Sequence, residues 1–231
     1  MNLEQEERLL LAQQRRGYNR LKFATVLEQG FVEHRVQRMR RRLLLIASTA
    51  IVFQLIYAGL DLALMPLRVS LSVMPLRLLG ILVVLLAVVY CRRPQSPPRL
   101  ALLAYTVTYA LNGACVALII HLCWAQGVAM PYDGLFLIVL FGYVLLGVSF
   151  RAVSLAAWGF CALFLLLGLW LTEPGAALAY QALFLLCANL IGSGGAYLQE
   201  HGQRGAWLNL RLLDLARQRA ETDDARKLRL L

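Results

Sequence analysis

From about residue 43 onward the chain reads as long apolar runs broken by short polar connections. Six runs each approach the ~20 residues that a spanning helix needs: about 43–64, 72–91, 100–122, 134–150, 152–171 and 177–198. They predict an all-α polytopic membrane protein with six transmembrane helices. An arm, residues 1–42, precedes the membrane domain at 43–199, and a polar segment, 200–231, follows it. In the arm, Phe23, Leu27 and Phe31 recur at i, i+4, which sets them on one helical face. Arg38, Arg40, Arg41 and Arg42 close it. The pattern fits an amphipathic helix on the inner leaflet, its arginines at anionic headgroups. It fits equally a cytoplasmic helix that packs on its neighbours.

After residue 200 the pattern changes to a charged helix. Beyond Gly205 the tail has no Gly or Pro, which favours one continuous helix leaving the membrane. Leu208, Leu212 and Leu215 follow the 4–3 spacing of a coiled-coil seam. Continuing that register brings Arg219, Thr222 and Arg226 to the seam, so the heptad fails after two turns.

Composition supports the membrane reading: 60% of the 231 residues are hydrophobic and 16% charged, as integral membrane proteins require. The net charge of +10 invites nucleic acid as a partner, but the placement of the charges argues against it. Twenty-one of the 23 basic residues lie in the arm, in "CRRPQSPPR", at Arg151 or after residue 200. Arg68 and Arg77 are the two exceptions. With both termini cytoplasmic, this satisfies the positive-inside rule for an even number of spans. The basicity is therefore a topology signal. A long charged arm precedes the first apolar run, so no secretory signal peptide is expected. Cys91, Cys115, Cys123, Cys161 and Cys187 are scattered through apolar runs with no C-x-x-C pair. That argues against disulfides and structural zinc, and no metal or cofactor is expected.

Charges inside hydrocarbon are costly and mark candidate functional positions. Asp61, near the end of the first run, and Arg77, inside the second, fall at similar depth on neighbouring helices. They form either a structural ion pair or a site at which Arg77 receives a ligand's acidic headgroup, since its fork suits a carboxylate. Tyr105, Tyr109, Asn112 and Val116 share one face of the third run. Tyr143, Gln181 and Asn189 extend the polar inventory. Such groups serve as interhelical hydrogen bonds or line a cavity between helices. Ser193 in "IGSGGAY" suggests a hydrolase, but the intramembrane His121 falls at the opposite end of its span, so no dyad is expected. His121 and Cys123 point in different directions on a helix, which disfavours a metal site. No catalytic residue is expected in this chain.

Asp61, Pro66 and Arg77, followed by Asn189, Gly192, Tyr197, Glu200, Arg204 and Trp207, resemble the six-span input modules of bacterial signalling enzymes. Such modules precede sensor histidine kinases, diguanylate cyclases and some adenylate cyclases. Ala220, Glu221, Asp224, Lys227, Arg229, Leu230 and Leu231 resemble the run leading into the phosphoacceptor helix of many sensor kinases. Kinases commonly carry Asn at the position of Asp224 and Phe-Leu at Leu230-Leu231; the histidine box itself is absent. The resemblance implies a homodimeric receptor in the bacterial inner membrane. Its spans would sense a stimulus, and its exit helix, through Tyr197, Glu200, Arg204, Trp207, Leu208, Leu212 and Leu215, would relay it to a cytoplasmic output domain or response regulator. Related kinase modules include receptors for fatty-acid signals, which implies a small lipophilic ligand at Arg77, Asp61, Tyr105, Tyr109, Asn112 and Tyr143. The ending reads as a transmission helix cut just before its output domain. A cyclase input module is the alternative in the same class. A small six-span transporter or a membrane adaptor is the alternative in another.

Overall fold

The computed structural model describes residues 3–18, 20–93, 95–171 and 175–228, with side chains described between residues 5 and 222. Among the described residues it is all-helical: α1 (Leu3–Arg16), α2 (Thr25–Leu64), α3 (Leu67–Arg92), α4 (Pro98–Ala125), α5 (Asp133–Leu145), α6 (Phe150–Leu171) and α7 (Ala176–Leu228). Five of these, α2, α3, α4, α6 and α7, are long and apolar enough to cross a membrane; α5, with 13 residues, is shorter. They divide into two compact units, Arg35–Ala196 on the one hand and Met1–His34 with Tyr197–Leu231 on the other. Helices α2 and α7 supply residues to both.

The helix boundaries follow local chemistry. Pro66 and Pro97 immediately precede α3 and α4, where a missing N–H costs nothing. Helix α4 ends in a Schellman motif: the Gly127 N–H donates to the Trp124 carbonyl and the Val128 N–H to that of Cys123. Gly127 takes the left-handed φ of 76° that the motif needs. The predicted fourth run, 134–150, does not form one helix. Helix α5 stops at Leu145, Gly147 turns left-handed at φ 67°, and the Ser149 hydroxyl accepts the Ala152 N–H at 3.3 Å to start α6. The "TEPG" connection lies outside the described residues at Thr172–Pro174.

In the unit Arg35–Ala196 the core gathers around α4, which packs against α3, α5 and α6. Ala101, Ala117, Ile119, Ile120 and Cys123 are fully buried there, with Val73, Val139 and Phe164 from its neighbours. Glycines permit close approach: a side chain at Gly113 would overlap the Phe160 ring, one at Gly142 the Tyr109 ring and one at Gly192 the Tyr143 ring. The outward faces are apolar too, with Leu155, Trp170 and Ile191 exposed. Helices that are hydrophobic all round need a non-aqueous solvent, which is consistent with a membrane protein.

The other unit packs α1 and the start of α2 against the polar end of α7. Leu10, Phe23, Leu27, Phe31, Leu208 and Leu215 form its core, with Trp207 and Leu212 against it. The Trp207 indole stacks on Phe23 at 5.5 Å and meets Phe31 edge-on at 5.8 Å. Of the two readings of the Phe23, Leu27 and Phe31 face, packing on a neighbouring helix describes this structure. The Leu208 and Leu215 positions, which resemble a coiled-coil seam, are covered by the chain's own arm. Arg211 pairs with Glu6 at 2.7 Å, and Arg219 with Glu7, across the edge of the same unit.

Candidate functional site

The reversal at Met65–Pro66 brings α2 and α3 side by side, and with them two charges that lie 16 residues apart in the chain. The Arg77 Nε donates to Asp61 Oδ2 at 2.7 Å, and both residues are almost wholly buried, at 2% and 1% exposure. The guanidinium also donates through Nη1 to Gln54 Oε1 at 3.3 Å and lies over the Tyr57 ring at 5.3 Å. Gln54 donates in turn to Asn112 Oδ1 at 3.0 Å, and the Asn112 amide donates to the Thr108 carbonyl at 3.0 Å. Four side chains thus link α2, α3 and α4 in one polar chain. Burying either ion without the other would cost several kcal/mol, about 3–5 for a broken buried pair.

Beside this chain lies a cavity of about 550 Å3, walled by α2, α3, α4 and α5 and mostly apolar. Five of the six candidate ligand-binding residues line it: Asp61, Arg77, Tyr105, Tyr109 and Asn112. The Tyr105 and Tyr109 hydroxyls are buried with no hydrogen-bond partner. Tyr143 stands elsewhere. It donates to Asn189 Oδ1 at 3.1 Å and shares a hydrogen bond with Ser193 Oγ at 2.9 Å. Ser154 and Cys161 join that second cluster through Ser193 and Asn189. Ser193 is therefore held by hydroxyls, while His121 Nε2 sits 2.8 Å from the Phe164 carbonyl. Among the described residues no group of three or more His, Cys, Asp or Glu could hold a metal ion.

The candidate transmission residues gather in the unit built from Met1–His34 and Tyr197–Leu231. Arg204, 3% exposed, donates to both Glu28 oxygens at 2.8 and 2.9 Å and to Glu200 Oε1 at 3.0 Å. Its guanidinium lies over Phe23 at 4.9 Å and over Phe31 at 4.4 Å. Burial opposes the Arg204 charge, but Glu28 and Glu200 outweigh it and raise its pKa further above the ordinary value. The stability this contributes is present below the unfolded-state pKa and is lost only as pH rises through the still higher folded value. Tyr197 stacks near His201, which also meets Tyr18 at 4.6 Å. Trp207, Leu208 and Leu215 belong to the core described above. Asp224, Lys227 and Arg229–Leu231 have no described side chains.

Gln54, Tyr57 and Glu28 did not emerge from the sequence. Gln54 is a polar residue deep in an apolar run, a signal that could have found it. Glu28 sits 176 residues from Arg204, and no local spacing announces that pair.

Compared with protein-family models and with curated proteins, the sequence matches none of either.

Proposed function

We propose that the chain is the transmembrane input module of a bacterial signal-transduction receptor of the sensor histidine kinase type. It detects a lipid-like molecule within the inner membrane and relays the change along α7. The observation that carries this reading is the construction of α7. One unbroken helix, Ala176–Leu228, supplies residues to the apolar unit and also presents Arg204 to the Glu28 clamp. A rotation or shift of such a helix must break or remake a buried, doubly bonded arginine, which gives two discrete states rather than a continuum. A ligand that fits one packing of the apolar unit better than another then biases the pair.

In this reading the chain crosses the membrane six times, α5 included, with both termini cytoplasmic, and it works as a homodimer. Leu208 and Leu215 are occupied by the arm, so the dimer contact falls on another face of α7. Ala206, Asn209, Leu213, Ala216 and Ala220 alternate at three and four residues, and all are exposed.

The test joins the chain, through its exit helix, to the catalytic half of a sensor kinase and measures autophosphorylation in membrane vesicles. Arg204→Ala and Asp61→Asn are expected to change activity at least about fivefold, the low end of ordinary allosteric coupling. Leu155→Ala, on an outward face, is expected to leave it unchanged. Equal activity in all three would sink the reading.

A further inference from the structure

The cavity beside Asp61 and Arg77 is long as well as apolar. Its wall follows α2 from Leu43 to Leu64, about 32 Å at ~1.5 Å per residue. That length suits a chain-shaped molecule, and the volume of about 550 Å3 lies within the range of ordinary ligand sites, about 300–1,000 Å3.

Its charges decide what kind of chain. The Arg77 charge is already matched by Asp61 at 2.7 Å, and a second carboxylate, Asp133, lines the same cavity from the start of α5. Beside the buried Asp61, a ligand carboxylate would be a second anion against one guanidinium in a low-dielectric surrounding, where like charges repel strongly. Yet Arg77 is not saturated. A guanidinium carries five N–H donors, and here Nε serves Asp61 while Nη1 serves Gln54. The donors left over need an oxygen but no further charge. Tyr105 and Tyr109 line the same wall and add no charge to it.

We propose that the cavity binds an uncharged, single-chain amphiphile, a long-chain alcohol, ketone or ester. Its oxygen accepts from Arg77 while Asp61 keeps that side chain neutralised, and fatty-acid carboxylates are turned away. This rests on the lipid-sensing reading above and specifies its ligand class. Asp61 acts as a selectivity filter: it withholds from the ligand the very charge that would otherwise recruit an acid.

The experiment measures saturable binding of tritiated hexadecanol, hexadecanoate and hexadecylammonium to the full chain in phosphatidylcholine nanodiscs, at a mildly alkaline pH that keeps the acid ionised. Hexadecanol is expected to saturate, with the acid and the amine each at least about tenfold weaker, a difference of about 1.4 kcal/mol. Asp61→Asn, which leaves the Arg77 charge unmatched, is expected to reverse the order of alcohol and acid. The wild-type ranking decides by itself should that variant fail to fold. Hexadecanoate or hexadecylammonium binding as tightly as hexadecanol overturns the proposal and leaves lipid sensing standing. Saturable binding by none of the three removes both.

Discussion

Asp61 and Arg77 depend on each other more than either depends on its helix. Asp61→Ala strands a buried guanidinium and Arg77→Ala a buried carboxylate, so each single change should destabilise by about 3–5 kcal/mol. The double change Asp61→Leu with Arg77→Met removes both charges and should cost clearly less than the two singles added. Unfolding in mixed micelles measures all three; additive costs would show that the pair is not coupled. Gly192 makes a different demand at the same scale. A methyl there meets the Tyr143 ring, whose hydroxyl holds Asn189 and Ser193. Gly192→Ala should therefore destabilise by about 1–3 kcal/mol through overpacking, whereas Gly194→Ala, which meets nothing within 4 Å, should not.

Elements separate by how they end and by what covers them. At the close of α4, Gly127→Ala forces an L side chain into the left-handed region and should cost about 1–2 kcal/mol; thermal unfolding checks it, and an unchanged midpoint would contradict the Schellman assignment. On α7, Leu208→Ala opens a cavity against Phe31 and Leu27 and should cost about 2–5 kcal/mol. Amide exchange should report that loss between Tyr197 and Thr222 and leave α4 protected. Much of this layout could be read from the sequence. Hydropathy placed α2, α3, α4, α6 and α7, because each carries a run close to membrane length. The i, i+4 and i, i+3 spacings put Tyr105, Tyr109 and Asn112 on one face of α4, since that relation is internal to a single helix. The break between α5 and α6 was legible only approximately: the sequence sets it at Arg151, while the chain turns at Leu146–Ser149. A lone Gly147 in an apolar run is a weak stop signal, and its positive φ exists only in the fold. The cover over Leu208 was not legible. A 4–3 leucine spacing records that a face is buried, not whether the chain's own arm or a second copy buries it.

At the scale of the whole molecule the topology can be tested with thiol chemistry, because Cys91, Cys115, Cys123 and Cys161 are buried and Cys187 lies in an apolar stretch of α7. A membrane-impermeant maleimide added outside intact cells should therefore label Gln126→Cys and spare both Arg20→Cys and Gln218→Cys. Opening the membrane should expose the latter two. Labelling of Arg20→Cys from outside would contradict cytoplasmic termini.

Among the described residues, Asp61 and Arg77 are the charged side chains that fall inside the apolar runs, and they are joined at 2.7 Å. A pair that moves as one unit carries no net charge through the membrane's electric field. An elementary charge crossing that field exchanges about 2.3 kcal/mol per 100 mV, and a neutral pair exchanges almost none. The module should therefore be blind to voltage. Imposing or collapsing a potassium diffusion potential with valinomycin should leave the activity of the kinase fusion unchanged, while Asp61→Asn, with its unbalanced arginine, should make that activity depend on membrane voltage.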